Sequence, residues 1–342
     1  MPYGKRAVLD IKSLSIRAGG VIGLVGPNGS GKSTLLKMLA FLTAPSSGEM
    51  LFMGSAVSGR ERELRREATL LLQDPYLLRT SVRRNLTYGL SIRGVRGDEA
   101  ERRVADALGM VGLSREDFAN RKWFRLSGGE ARRVALASRL ALHPKILLLD
   151  EPTANMDEAS AEKIKHAMSR ACEEYGSTVV VATHDTTWLH ETATEIIGMY
   201  AGRAIADGAA NLLPGDWRCA PEGGNLAAIS FGDRKIFAAA PPCPDALACA
   251  ALNPSDVQIA LCGAGNDAER RAAVAASDEA PVNALEGLIT QMSLERSRGE
   301  VLVAVNCGGV TLRARVNRQT AEKLFPGAQV NLYFSAAALT FI

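Results

Sequence analysis

The chain has 342 residues, a length that favours two domains, or a large domain with an appendage, and excludes a single small core. Hydrophobic residues make up 47% and charged residues 23%, which is the composition of a globular protein and not of a disordered or membrane-embedded one. The formal net charge of +3 does not by itself indicate nucleic acid or an anionic membrane as a partner. No apolar run approaches the roughly 20 residues that span a bilayer, and the first residues lack the apolar core of a secretory signal. We therefore expect a cytoplasmic protein.

The sequence pattern changes near Pro214, and we predict two domains, residues 1–213 and residues 214–342. In the first, short apolar runs alternate with helical patterns, which is typical of an α/β fold with a buried parallel sheet. In the second, short alternating runs are separated by Gly, Asn and Pro, which predicts a mainly β domain, a small barrel, with one helical pattern around residues 267–276. The apolar runs of the first domain are Val21–Val25, Ile146–Leu149 and Thr178–Ala182.

A glycine-rich segment follows the first apolar strand and precedes a helical pattern over Leu35–Phe41. This is the strand, loop and helix context that a phosphate-binding loop requires. Glycines let backbone N–H groups surround phosphate oxygens, and the helix directs its positive end at them. We predict that Lys32 bridges the β- and γ-phosphates and that Ser33 supplies a hydroxyl to Mg²⁺. The predicted nucleotide-binding residues are Gly26, Asn28, Gly29, Gly31, Lys32, Ser33 and Thr34.

Two carboxylates end the apolar strand at residues 146–149, at the edge of a parallel sheet where ligands bind. We predict that Asp150 holds Mg²⁺, directly or through water, and that Glu151 polarises the attacking water. An Asp-Glu pair after a strand is more often a helix cap. The phosphate-binding loop in the same chain favours the catalytic interpretation.

The segment Leu126-Ser127-Gly128-Gly129-Glu130 resembles the signature loop of the ATP-binding-cassette (ABC) ATPases, and the other motifs follow in that family's order over about residues 1–213. The resemblance implies that Gln73 senses Mg²⁺ and the transmembrane partner, that Asp157 belongs to a loop at the dimer contact, and that His184 is the switch histidine. It also implies that Tyr3 stacks on adenine, although a frayed terminal residue is the alternative.

The signature loop precedes a helical pattern over Ala131–Leu142, so its residues form a helix N-terminus suited to a γ-phosphate. The resemblance implies that Ser127, Gly128 and Gly129 complete the ATP site of a second copy of the chain. Two ATP molecules would then lie between two chains. Glu130 stands where the family more often has glutamine, and a carboxylate there can weaken or redirect the contact with the opposite nucleotide.

Residues 215–342 resemble the C-terminal regulatory domain, of TOBE or Mop type, found in importer ATPases for oxyanions and related solutes. Pro281–Gly287 resembles the opening of molybdate-binding-type domains, and residues 283–342 follow the pattern of their OB-like β barrel. The resemblance implies a barrel that packs against its dimer mate or binds an oxyanion, and both alternatives stay open.

Taken together, the resemblance implies an ATPase subunit that uses ATP and Mg²⁺ to power a membrane importer, on the cytoplasmic face of the membrane. Its partners would be transmembrane permease subunits, a second copy of itself and a periplasmic or extracellular solute-binding protein. The local sequences at 40–42, 73–78 and 151–157 are most similar to tungstate importers, which favours tungstate or molybdate as cargo. Sulfate, sugars, polyamines and metal chelates remain alternatives, as does a mainly oxyanion-sensing subunit. A cassette protein acting on nucleic acid or ribosomes usually has two cassettes or long inserted helices, so we expect no nucleic-acid partner.

Overall fold

The computed structural model describes residues 8–154, 156–205, 211–219, 226–231, 234–239, 249–262, 281–295 and 298–341. The chain forms two compact units, Met1–Gly208 and Ala209–Ile342. The boundary that the sequence predicts, between residues 213 and 214, falls inside a strand of the second unit. Tyr3 and the helical pattern around residues 267–276 lie outside the described residues. Among the helices in the described ranges, none has the length and apolar character needed to cross a membrane.

The first unit is built around a six-stranded sheet in which the central strands are parallel and buried. The strands of this unit are β1 (Val21–Val25), β2 (Leu51–Phe52), β3 (Ser55–Ala56), β4 (Ala68–Leu71), β5 (Ile146–Asp150), β6 (Thr178–Ala182), β7 (Glu195–Tyr200) and β8 (Arg203–Ile205). Strands β2 and β3 form a separate short hairpin, and the other six form the sheet. The strand order is β4-β5-β6-β1-β7-β8, with only β8 antiparallel to its neighbour. Because β1, β5 and β6 are covered on both faces, their sequences are continuous apolar runs.

Helices connect and cover these strands. They are α1 (Lys32–Leu39), α2 (Glu61–Leu64), α3 (Val82–Ile92), α4 (Gly97–Met110), α5 (Arg115–Phe118), α6 (Gly128–Leu140), α7 (Glu158–Tyr175) and α8 (Thr186–Thr192). Helices α1 and α6 each begin three residues before the first residue of the predicted helical pattern, Leu35 and Ala131 respectively, because the local backbone geometry decides where each helix starts. Gly31, with a left-handed φ of 102°, ends the loop before α1, and Ser127 caps α6. The first turn of α1 thereby lies directly against the glycine-rich loop.

The second unit is rich in sheet, as the sequence predicts. Its elements are β9 (Asn211–Pro214), β10 (Arg218–Cys219), β11 (Leu226–Phe231), β12 (Arg234–Ala239), β13 (Cys249–Leu252), β14 (Gln258–Leu261), β15 (Val282–Glu295), β16 (Glu300–Asn306), β17 (Thr311–Val316), α9 (Arg318–Ala321), β18 (Gln329–Ser335) and β19 (Leu339–Phe341). The described strands pair into a five-stranded sheet, β14-β18-β15-β16-β17, and two three-stranded sheets, β19-β13-β9 and β10-β11-β12. These pairings are three separate sheets and do not by themselves establish the expected OB-like barrel.

Two buried asparagine side chains join these sheets. The amide of Asn283 accepts a hydrogen bond from the N–H of Phe237 at 2.7 Å and donates one to its carbonyl at 2.8 Å. Asn211 does the same with the backbone of Arg313, at 2.6 and 2.9 Å. Each of these asparagines is buried, and each side chain replaces a missing strand partner by pairing with one backbone N–H and one backbone carbonyl.

Candidate functional site

The glycine-rich segment forms a tight loop between β1 and α1. A Cβ atom at Gly26 would lie 2.1 Å from the backbone oxygen of Met199, so no side chain fits there. Gly31 ends the loop, and α1 begins without a side-chain cap. The first N–H groups of α1 are therefore donors that a bound anion can use. In the same loop Asn28 and Gly29 are exposed, and Thr34 is half-buried in α1.

Lys32 is buried and its ammonium group lies against the loop. Nζ donates hydrogen bonds to the backbone oxygens of Gly26, at 2.7 Å, and Pro27, at 3.1 Å. Burial lowers the pKa of Lys32, while the nearby carboxylates of Glu151 and Asp150 oppose that shift. The ammonium group of Lys32 is thus held near two carboxylates at the C-terminal edge of the sheet.

Asp150 is the last residue of β5 and is only 9% exposed. Burial raises the pKa of Asp150, and a hydrogen bond from the side chain of Ser33 opposes that shift. The described residues contain no cluster of three or more His, Cys, Asp or Glu side chains suited to a metal. A carboxylate beside a hydroxyl nevertheless fits Mg²⁺, which takes oxygen ligands and is commonly held by one or two protein groups together with phosphates and water.

Glu151 follows Asp150 and has a left-handed backbone with a φ of 48°, unusual for a residue with a side chain. Its side chain is 12% exposed, and His184 Nδ1 lies 3.0 Å from Glu151 Oε2. The hydroxyl of Thr183 lies 3.0 Å from the same oxygen. Sequence reasoning missed Thr183, although a hydroxyl residue directly before His184, at the end of the strand beside β5, was a visible signal.

Gln73 and Asp157 lie on loops that follow β4 and β5. Gln73 is exposed, and its backbone oxygen accepts a hydrogen bond of 2.7 Å from Arg132 Nη2. Arg132 Nη1 also donates to the backbone oxygen of Ala154. Asp157 caps α7 by accepting from the N–H of Ser160 at 2.8 Å, and this bond lowers the pKa of Asp157. Sequence reasoning missed Arg132, whose only signal was its place one turn after the signature loop.

The signature loop forms the start of α6. Ser127 Oγ accepts from the N–H of Glu130 at 3.2 Å, and Glu130 Oε2 accepts from the N–H of Ser127 at 2.8 Å. This reciprocal pair is a capping box. Glu130 Oε1 also lies 3.5 Å from Arg121 Nη1. Both carboxylate oxygens are therefore engaged within the chain, while space around Gly128 and Gly129 is open.

The structure thus brings together five of the predicted residues. Lys32, Ser33, Asp150, Glu151 and His184 form one connected group through hydrogen bonds and charge contacts. Gln73 is linked to this side of the sheet through Arg132. Among the described residues, the signature loop makes its side-chain contacts internally and with Arg121, not with the phosphate-binding loop.

Comparison with known proteins gives similarity over the first part of the chain. Residues 9–154 match the family described as ABC transporter. The tungstate uptake system ATP-binding protein TupC of Peptoclostridium acidaminophilum is 35% identical over 207 residues, which are 60% of this chain and 94% of TupC. The cobalt import ATP-binding protein CbiO of Rhodobacter capsulatus is 36% identical over 228 residues, which are 65% of this chain and 80% of CbiO.

Similarity extends to solved structures. The dimeric, post-hydrolysis structure of the ATP-binding cassette MJ0796, bound to ADP and Pi, aligns with a TM-score of 0.54 and 32% identity. The alignment covers 59% of this chain and 90% of MJ0796.

Proposed function

The chain belongs to the ATP-binding proteins of ABC transporters and is an ATPase, and from this premise we propose that it powers an importer for an oxyanion by ATP-driven closure of a homodimer. One observation carries the catalytic part of the proposal. The Glu151 carboxylate interacts electrostatically with Lys32 and lies 3.0 Å from His184 Nδ1, at the sheet edge where the phosphate-binding loop leads into α1. A carboxylate in that position suits the activation of water beside a bound γ-phosphate.

We assign nucleotide binding to the glycine-rich loop. Lys32 would exchange the backbone oxygens of Gly26 and Pro27 for β- and γ-phosphate oxygens, which are stronger acceptors for an ammonium group. The uncapped N–H groups after Gly31 would bind the same phosphates. The other loop residues assigned to ATP are Asn28, Gly29, Ser33 and Thr34, and we assign adenine stacking to Tyr3.

We assign Mg²⁺ to Ser33 and Asp150, whose side chains already share a hydrogen bond, with Gln73 as a further ligand. When bound, Mg²⁺ neutralises charge that develops on the phosphate oxygens. Asp150 is ionised in this role, and the nearby Lys32 favours that ionised form.

We assign the opposite wall of the ATP site to a second copy. Ser127, Gly128 and Gly129 present an exposed helix start with open space around the glycines, which suits contact with a γ-phosphate from another chain. Because Glu130 is held by its own capping box and by Arg121, it acts in this proposal by shaping the loop and not by opposing the nucleotide. Asp157, at the start of α7, would lie at the dimer contact.

The region around Gln73 supports docking onto transmembrane permease subunits. Leu72, Tyr76, Leu78 and Tyr88 are exposed large apolar residues in the segment that follows β4 and on α3. Hydrogen bonds between Asn85 and the backbone of Leu78 hold the segment against α3. An exposed apolar surface of this kind is typical of a protein interface, and we propose that the chain binds permease subunits at the cytoplasmic face of the membrane. A periplasmic or extracellular solute-binding protein would belong to the same system.

We propose tungstate or molybdate as the cargo. The similarity to TupC supports tungstate, whereas CbiO is named for cobalt import. The choice of tungstate or molybdate therefore depends on the local sequence similarities and on the second unit. The five-stranded sheet curls until its edge strands, β14 and β17, come within 8 Å at their Cα atoms, which supports the OB-like TOBE barrel.

A specific observation favours oxyanion sensing as a second function of the same chain. The second unit has an open cavity of about 480 Å³ whose lining includes Arg218, Ser230 and Lys235. Asp216 also lines the cavity and is paired with Arg218 at 2.8 Å, so we assign the contact with an anion to Lys235 and the hydroxyl of Ser230. Calorimetry of the full chain with tungstate, molybdate and sulfate tests this function, and the absence of heat with all three anions would contradict it.

The proposed function is tested by Mg²⁺-dependent ATP hydrolysis of the purified dimer, with and without a reconstituted permease. Lys32→Ala should abolish hydrolysis and ATP binding, because the phosphates lose their buried cation. Lys145→Ala, which removes an exposed ion pair with Glu67, is the matched control and should hydrolyse ATP like the wild type. Hydrolysis that persists in the Lys32 variant would contradict the assignment.

A further inference from the structure

Thr183 is a buried polar residue that none of the motifs above accounts for. It follows β6 directly and is 0% exposed. Its hydroxyl lies 3.0 Å from Glu151 Oε2, a contact between residues 32 positions apart in the chain. A threonine so deeply buried needs partners for its hydroxyl, and here one partner is a carboxylate of the proposed reaction centre.

The direction of this hydrogen bond is set by the neighbours of Thr183. The backbone N–H of Asp185 donates to Thr183 Oγ1 at 3.1 Å. A hydroxyl has one proton to donate, and an ionised carboxylate can only accept. The proton of Thr183 therefore points to Glu151 Oε2. Asp185 is fixed in turn, because its side chain caps α8 by accepting from the N–H of Trp188 at 3.0 Å.

The two oxygens of the Glu151 carboxylate are consequently unequal. Oε2 is contacted by both Thr183 and His184, each at 3.0 Å. Oε1 makes no hydrogen bond to any residue in the described part of the chain. His184 is 77% exposed, so its contact can be broken by solvent, whereas the contact with Thr183 is shielded.

We propose that Thr183 is a positioning residue for ATP hydrolysis: it holds Glu151 by Oε2 so that Oε1 faces the attacking water. The inference rests on the proposed role of Glu151 as the general base. In the step itself, a bond forms between the water oxygen and the γ-phosphorus, the bond to the oxygen of ADP breaks, and the proton of water goes to Glu151 Oε1. Thr183 gives up no proton and keeps its hydrogen bond to Oε2 throughout.

The test compares Thr183→Val, which keeps the shape but removes the hydroxyl, with Thr183→Ser, which keeps the hydroxyl. We expect Thr183→Val to lower kcat about tenfold or more with the KM for ATP unchanged, because only the orientation of the base is lost. Thr183→Ser should recover most of kcat. Thr192→Val is the matched control: that buried hydroxyl bonds to the backbone of Trp188, and its loss should leave kcat unchanged.

The split between kcat and KM, together with the recovery in Thr183→Ser, is a readout that simple packing would not move. Unchanged kcat in Thr183→Val would overturn the inference, as would a Thr183→Ser variant as impaired as Thr183→Val. Glu151→Gln, measured alongside, separates the two proposals. Turnover in Glu151→Gln would overturn the assignment of Glu151 as the base. If Glu151→Gln has no turnover while Thr183→Val hydrolyses ATP like the wild type, only the role of Thr183 is overturned.

Discussion

Arg132 donates a hydrogen bond of 2.7 Å to the backbone oxygen of Gln73, which lies 59 residues earlier in the chain. The same guanidinium group donates to the backbone oxygen of Ala154. Because Arg132 lies on α6, these bonds tie the helix that begins at the signature loop to the loops that follow β4 and β5. One planar side chain with several fixed donors can hold both loops at once, which a lysine cannot do with the same geometry.

We predict that Arg132→Ala lowers ATP turnover about tenfold while it destabilises the fold by only about 1 kcal/mol, because water can replace the arginine at these carbonyls. Arg132→Lys should restore little of the turnover. Steady-state ATP hydrolysis and urea unfolding measure the two effects. Arg170→Ala removes an exposed ion pair on α7 and serves as the control. Wild-type turnover in Arg132→Ala would show that the link between these loops has no part in hydrolysis.

Glu130 offers a test of the capping box. Glu130→Gln keeps an oxygen that can accept from the N–H of Ser127 but loses the ion pair with Arg121, so stability should change by less than about 0.5 kcal/mol. Glu130→Ala removes both contacts and should cost about 1 kcal/mol. Urea unfolding measures both variants. Equal stability of the alanine variant and the wild type would mean that the capping box contributes nothing.

Asp150 links pH to stability. Burial raises the pKa of Asp150 in the folded protein, so the ionised form of Asp150 destabilises the fold. This destabilisation is absent below about pH 4, where the carboxyl is protonated in the folded and the unfolded protein, and it is complete above the raised pKa. Asp150→Asn should therefore raise the Tm of the nucleotide-free protein at pH 7, and the gain should disappear at low pH. Its ATP turnover should fall about a hundredfold, because a charged Mg²⁺ ligand is lost.

The control for Asp150 is Asp157, whose pKa shifts in the opposite direction. The hydrogen bond from the N–H of Ser160 lowers the pKa of Asp157, so its ionised form stabilises the fold above the unfolded pKa, and this contribution is lost as pH falls through the folded pKa. Asp157→Asn should lower the Tm at pH 7. If Asp150→Asn and Asp157→Asn move the Tm in the same direction, burial and hydrogen bonding are not the causes of the two opposite pKa shifts.

Local sequence was sufficient to predict the glycine-rich loop between β1 and α1, the carboxylates at the end of β5 and several strands. The expected segments Val21–Val25 and Thr178–Ala182 coincide with β1 and β6. These features depend on neighbours in the chain, as in the run of glycines before Lys32. By contrast, Thr183 and Arg132 act on partners 22 to 59 residues away, and such contacts leave no periodic pattern in the sequence.

The second unit was predictable as β structure but not in how its sheets are joined. The side chain of Asn211 pairs with a backbone 102 residues away, and the side chain of Asn283 pairs with a backbone 46 residues away. A sequence pattern would assign both asparagines to turns. The helix starts were also missed by three residues, since the left-handed Gly31 and the capping Ser127 decide where α1 and α6 begin.

Asn283 gives a prediction for the second unit. Asn283→Ala leaves the N–H and carbonyl of Phe237 without their partners, and we expect a loss of about 2 kcal/mol or more from the stability of this unit. Asn283→Asp keeps the acceptor but loses the donor and should also destabilise. Calorimetric unfolding of the full chain measures the loss. An unchanged transition in both variants would refute the role of this side chain in joining the sheets.

Glu151→Gln tests most directly whether Glu151 activates water for ATP hydrolysis in a homodimer. The amide keeps the size of the side chain but removes its charge and basicity. Light scattering and ATP turnover, measured on the same Mg²⁺-containing sample, should show a dimer that forms with ATP and persists, with turnover at least about a hundredfold below that of the wild type. Wild-type turnover in this variant would contradict the account.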